Sequence, residues 1–188
     1  MAGVRLTKQG GNLMKWLRRS SIAGVVTLLA GLASVPKEAS AQTESSKNQL
    51  AGTWKLASWK IDLGDGKLAD SPYGASPSGW IMYHPDGHVC VTVMRTDRPK
   101  FAANSALGGT PEEIKAAFEG YAGYCGTYQV NAQDRSVIHR LDLSWFPNWI
   151  GTEQKRFFEI SGNRITLSTP PISGFGGTQV HRLVWERM

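Results

Sequence analysis

Residues 136–146, Ser-Val-Ile-His-Arg-Leu-Asp-Leu-Ser-Trp-Phe, followed after a Pro-Asn break by residues 153–161, Glu-Gln-Lys-Arg-Phe-Phe-Glu-Ile-Ser, carry the reading on which the fold turns. In the first stretch apolar residues fall on every second position, the period at which a strand turns successive side chains to opposite faces. Val137, His139, Leu141, Leu143 and Trp145 share one face, and Arg140, Asp142 and Ser144 share the other. The apolar set is expected to face inward, which puts His139 among hydrophobic neighbours. The second stretch sets Gln154, Arg156, Phe158 and Ile160 on one face against Lys155, Phe157 and Glu159. An arginine and a glutamine are therefore expected to point inward.

Aromatic and β-branched runs of the same kind recur on both sides, separated by Gly, Pro, Asp and Asn clusters. They predict strands at 51–62, 78–84, 88–96, 123–131, 136–146, 153–161, 163–169 and 178–187. Eight antiparallel strands suffice to close a barrel whose interior admits side chains or one small ligand. Asp65-Gly66, Asp86-Gly87 and Gly162-Asn163 read as hairpin turns, and Gly174-Phe175-Gly176-Gly177 as a flexible hairpin connection. One segment departs from the pattern. Thr110-Pro111-Glu112-Glu113 combines an N-cap, a proline at the first helical position and a glutamate at the third. Ile114, Ala117, Phe118 and Tyr121 follow at helical spacing. One short amphipathic helix should cover an edge or an end of the sheet.

The first 41 residues stand apart. Lys15, Arg18 and Arg19 precede an apolar run from Ile22 to Val35, and Ala39-Ser40-Ala41 follows, which is the order of a secretory signal peptide cleaved after Ala41. The run is shorter than the roughly 20 residues a helix needs to span a bilayer. Export to the periplasm or medium is expected, without stable membrane insertion after cleavage. Arg18-Arg19 fits a twin-arginine signal poorly in its surroundings. Residues 42–49 are polar and read as a loose arm, leaving 50–188 as one domain.

Of 21 Lys+Arg and 15 Asp+Glu, six and one lie in residues 1–41, leaving 15 and 14, a formal charge of +1. No nucleic-acid or anionic-membrane partner is expected from that balance. Cys90 and Cys125 both lie in strand-like apolar runs, where a small buried thiol is the plainer reading, although export permits a disulfide.

Gly52-Thr53-Trp54 resembles the Gly-x-Trp opening of lipocalins, where the tryptophan packs across the closed end of the barrel. The rest of the chain resembles, in order, the bacterial and fungal lipocalin-like domain proteins. The resemblance runs through Pro72-Tyr73-Gly74, Gly79 to Tyr83 with His84-Pro85-Asp86-Gly87, and Asp97-Arg98-Pro99-Lys100-Phe101. It continues through Tyr124-Cys125-Gly126-Thr127-Tyr128, Phe146 to Thr152, and Leu183 to Arg187. It implies an all-β, single, roughly eight-stranded antiparallel lipocalin-like barrel with a central pocket. It also implies an arginine packed over Trp54, with Arg187 the nearest candidate and Arg182 the second. It does not imply one chemistry.

The candidate ligand-binding set is Tyr124, Tyr128, His139, Gln154, Arg156, Phe158 and Trp185. Parity aims its polar members into an aromatic lumen from several strands. An arginine in such a lumen is costly unless paired, so it meets an internal carboxylate, awaits an anionic or carbonyl-bearing ligand, or sits at the mouth in water. The leading expectation is binding of a small, largely apolar molecule. The alternative is a cofactor-independent isomerase or cyclase in which His139 or Tyr128 moves a proton and Arg156 stabilises an oxyanion. A third possibility is an interaction module using the outer face or the 112–121 helix. No cofactor is expected, since the chain has no phosphate-cradling glycine loop, dinucleotide fingerprint or nucleophile elbow. No metal site is expected either: His84 and His88 flank one turn without a third ligand at a recognised spacing.

Overall fold

The computed structural model describes residues 37–64, 66–174 and 177–188. Residues 1–36 of the expected leader (1–41), Asp65 of the first turn, and Phe175-Gly176 lie outside the described residues. Among the described residues there are ten strands: β1 Gly52–Asp62, β2 Leu68–Asp70, β3 Ser78–Tyr83, β4 His88–Met94, β5 Tyr121–Asn131, β6 Ser136–Ser144, β7 Glu153–Ser161, β8 Arg164–Ser168, β9 Ile172–Gly174 and β10 Gly177–Arg187. Eight of them close into an antiparallel barrel in the order β1-β3-β4-β5-β6-β7-β8-β10, and β10 pairs back onto β1. These eight are the expected strands, each shifted by only a few residues. The short β2 and β9 attach beside β1 and β10.

Two α-helices among the described residues accompany the barrel. Helix α2, Pro111–Glu119, begins with the expected capping box: the Thr110 side chain accepts from the Glu113 N–H, and the Glu113 carboxylate accepts from the Thr110 N–H. Its expected apolar stripe ends early, because Tyr121 already belongs to β5. Helix α1, Lys37–Leu50, corrects the reading of 42–49 as a loose arm. Those residues are polar because one turn end, not one face, is buried: Leu50 alone in the helix is fully enclosed.

Two bulges decide which side chains face inward. In β1 the register with β10 slips at Ala57, so the inward positions run Trp54, Leu56, then Trp59 and Ile61. In β6 the register with β5 slips at Asp142, so Cys125 opposes Leu143 while Gly126 opposes Leu141. The extra residue reverses the alternation. Leu143, expected inside, is therefore 65% exposed on the outer wall. The bulge also requires Gly126, where a Cβ would stand 1.8 Å from the Arg140 carbonyl oxygen.

The core is built on Trp54, Leu56, Ile81, Tyr83, Val89, Val137, Phe158, Ile165, Leu167 and Trp185. At the closed end the Trp54 indole N–H donates to the Leu50 carbonyl at 2.8 Å. The Arg187 guanidinium lies 4.0 Å from the Trp54 ring centroid and donates to the Ala51 and Gln49 carbonyls. The expectation for Arg187 holds. Arg182, the second candidate, instead pairs with Asp62 on the surface. Cys90 and Cys125, opposite each other on β4 and β5, form a disulfide, which corrects the free-thiol reading. Strand parity could place them on one face of two strands but could not show that those strands are neighbours.

Candidate ligand-binding site

Toward the other end the barrel encloses a cavity of about 540 Å³, within the range of small-molecule sites. Its walls are largely aromatic and aliphatic. Of the seven expected residues, Tyr124, His139, Gln154, Arg156 and Trp185 line it. Tyr128 and Phe158 do not. Tyr128 is buried in the layer beneath, and its hydroxyl donates to the His84 carbonyl at 3.0 Å. Phe158 points toward the closed end, where it borders a separate polar groove between α1 and the barrel that also holds Gln42, Ser45 and Arg135.

His139 is fully enclosed, with Tyr83 Oη 2.8 Å from Nε2 and Tyr124 Oη 2.9 Å from Nδ1. Burial, reinforced by the nearby Arg156 charge, pushes its pKa down to about 3, so the ring is neutral and carries one proton. The direction of this chain follows from hydrogen-bond accounting. Tyr83 is buried and His139 is the partner of its hydroxyl, so its proton goes to Nε2. The reverse polarity would leave that buried proton without an acceptor, at a cost of about 1–3 kcal/mol. Nδ1–H then donates to the Tyr124 oxygen, and the Tyr124 proton is left to point into the cavity that Tyr124 lines.

A second chain has its direction set in the same way. The Trp59 indole, which can only donate, gives its N–H to His181 Nδ1 at 3.2 Å. Burial and then the Arg156 charge hold His181 below its ordinary pKa, so this ring is neutral as well and carries its proton on Nε2. Among the described residues that buried Nε2 has no hydrogen-bond partner, and neither has the indole nitrogen of Trp185. Arg156 is half-buried; its guanidinium donates to the Lys155 carbonyl at 2.7 Å and, more distantly, to Gln154 Oε1. Among the described residues no carboxylate pairs with it. Glu153, at the rim, is held by Arg140, and the Lys155 ammonium by Asp134.

Trp59, Tyr73, Tyr83 and His181 were not in the expected site. Trp59 was hidden by the β1 bulge, though the apolar positions 54, 56, 59 and 61 record the phase slip in the sequence itself. His181 shares a strand face with Leu183 and Trp185, so parity alone could have found it. Tyr73 packs against Trp59 at 5.4 Å from a loop segment that has no periodicity to read. At the mouth Phe118, Trp145, Phe146 and Trp149 form an aromatic collar with ring centroids 5.4–5.9 Å apart. Of the other expectations, His84 and His88 both contact Asp86 at 2.8 Å on an exposed turn, and no cluster of metal-ligating side chains occurs among the described residues. No described helix is long and apolar enough to cross a membrane.

The geometry is that of a closed barrel with a donor-lined aromatic lumen, and comparison with known proteins agrees with it. A curated relative, the 4'-hydroxy-3'-methoxypropiophenone carrier protein ppsC of Aspergillus oryzae, is 36% identical over 103 residues, which cover 51% of this chain and 93% of that protein. The family model of the lipocalin-like domain matches residues 51–188, the whole of the barrel. The chain belongs to the lipocalin-like domain family.

Proposed function

We propose that this protein is an exported carrier that holds one small, largely apolar aromatic molecule in the barrel lumen. The observation that carries the reading is the cavity itself. Its wall is mostly aromatic and aliphatic, interrupted by a few polar groups, among them Arg156, with which no carboxylate of the described residues pairs. The name of the curated relative, a carrier of an alkyl aryl ketone, supports the same ligand type. The leader pattern of residues 15–41 supports export, and so does the Cys90–Cys125 bond, since disulfides persist in oxidising compartments.

The catalytic alternative built on His139, Arg156 and Tyr128 has less support, because the Tyr128 hydroxyl is engaged outside the cavity. Binding is tested by titrating the purified protein with alkyl aryl ketones, including 4'-hydroxy-3'-methoxypropiophenone, and with terpenoids and fatty acids. Saturable quenching of tryptophan emission together with a rise in Tm is expected for the aryl ketones. No response across the panel overturns the carrier reading. Export is tested by mass spectrometry of the protein recovered outside the cytoplasm, with an N-terminus at Gln42 expected.

A further inference from the structure

The cavity wall is electrostatically one-sided. Its titratable groups are Tyr73, Tyr124, His139, Glu153, Arg156 and His181, together with Lys155. Glu153 and Lys155 are both neutralised by partners facing outward, Arg140 and Asp134. Both histidines stay neutral. Arg156 is therefore the one fixed charge on the wall without a counter-ion among the described residues, and a guanidinium does not shed its proton. The unspent hydrogen-bonding groups agree in sign with it: the Tyr124 hydroxyl proton, His181 Nε2–H and the Trp185 indole N–H are all donors. A half-buried cation with no carboxylate partner, bonded only to the neutral oxygens of Lys155 and Gln154, is complementary to a ligand oxygen that accepts several hydrogen bonds and bears negative charge.

Resting on the carrier reading above, we infer that the lumen seats its ligand as a phenolate, with the ionised ring oxygen between the Arg156 guanidinium and the Tyr124 hydroxyl. A phenolate fits better than a carboxylate for two reasons. Its charge is delocalised into a ring that the walls of Trp59, Trp149 and Trp185 can cover. Its single anionic oxygen also needs only the two or three donors present, whereas a carboxylate would bring two strongly hydrated oxygens into a mostly apolar space. The neutral His139 serves as a positioning residue, since it holds the Tyr124 oxygen from behind and leaves the hydroxyl proton for the ligand.

The test uses 4-nitrophenol, whose ionised form absorbs in the visible, and 4-nitroanisole, its O-methylated counterpart that cannot ionise. Affinities come from calorimetry at pH 8, and the ionisation midpoint of the bound phenol from its absorbance. Bound 4-nitrophenol is expected to ionise at least about one pH unit below the free compound, a tenfold preference for the phenolate. 4-Nitroanisole should bind at least about tenfold more weakly than 4-nitrophenol at pH 8. Arg156→Gln should abolish the midpoint shift, Arg156→Lys should retain part of it, and unchanged circular dichroism reports that each variant folds. Equal affinity for the two compounds, or a midpoint unmoved by Arg156→Gln, overturns the phenolate seat. If neutral aryl ketones bind while 4-nitrophenol does not, the phenolate seat fails and the carrier reading stands. If nothing binds, both fail.

Discussion

The two ends of β1 differ in what they do with their polar groups. Trp54 and Trp59 lie five residues apart on one strand, about 17 Å at the usual rise. Around Trp54 every strong group is consumed internally: its N–H meets Leu50, and Arg187 stacks on the ring while donating to two carbonyls. Around Trp59 the chain of donors is left open at its end. Trp59 gives its proton to His181, whose own proton has no acceptor, and Tyr83 and His139 pass the same condition to Tyr124. A satisfied end holds the barrel shut, and the end with unspent donors is the one that the proposed carrier function assigns to the ligand.

That contrast can be broken most severely at the closed end. Trp54→Ala removes a fully enclosed indole and should cost about 3–5 kcal/mol in urea unfolding, with the remaining folded protein losing ligand affinity only in proportion. On the wall between the ends, Cys125 neighbours Tyr124, and its bond to Cys90 closes a 35-residue separation. Replacing both cysteines with alanine should cost about 2–4 kcal/mol and lower the Tm, measurable by calorimetry.

At the open end the expected effects are smaller and depend on pH. His139 has a folded pKa of about 3 against an ordinary 6.5, so between those values the unfolded chain takes up a proton that the folded chain refuses. The contribution is harmless above pH 6.5 and grows as pH falls toward 3. Acidifying from pH 6.5 to 4.5 should reduce stability by about 2 kcal/mol through this group. His139→Gln should flatten that dependence, and an unchanged slope would mean that His139 is not buried neutral. Tyr124→Phe removes the acceptor of the buried His139 Nδ1–H and should cost about 1–3 kcal/mol in unfolding while weakening an oxygen-bearing ligand roughly five- to tenfold. Unchanged ligand affinity in Tyr124→Phe would mean that the two ends do not differ in the way described.

Period-two alternation and turn chemistry determined a great deal in this chain. They located the eight barrel strands, the capped helix at 111–119, and the inward direction of His139, Gln154 and Arg156, because these depend on residues adjacent in sequence. The leader pattern of residues 15–41, on which the proposed export rests, is equally local. What alternation could not carry was a change of phase. Leu143 was assigned to the wrong face and Trp59 was overlooked because a single inserted residue in a bulge reverses the strand positions that follow it.

The remaining decisions belonged to the closed barrel alone. Which strands are neighbours determines that Cys90 meets Cys125, that Tyr83 from β3 and Tyr124 from β5 grip opposite nitrogens of one histidine on β6, and that Trp59 reaches His181. It also determines that Tyr128, on the right face by parity, spends its hydroxyl on the His84 carbonyl instead of the cavity. Parity orients a side chain relative to its own strand, but a hydrogen bond needs a partner brought close from a distant part of the chain. Only the curling of the sheet fixes those distances.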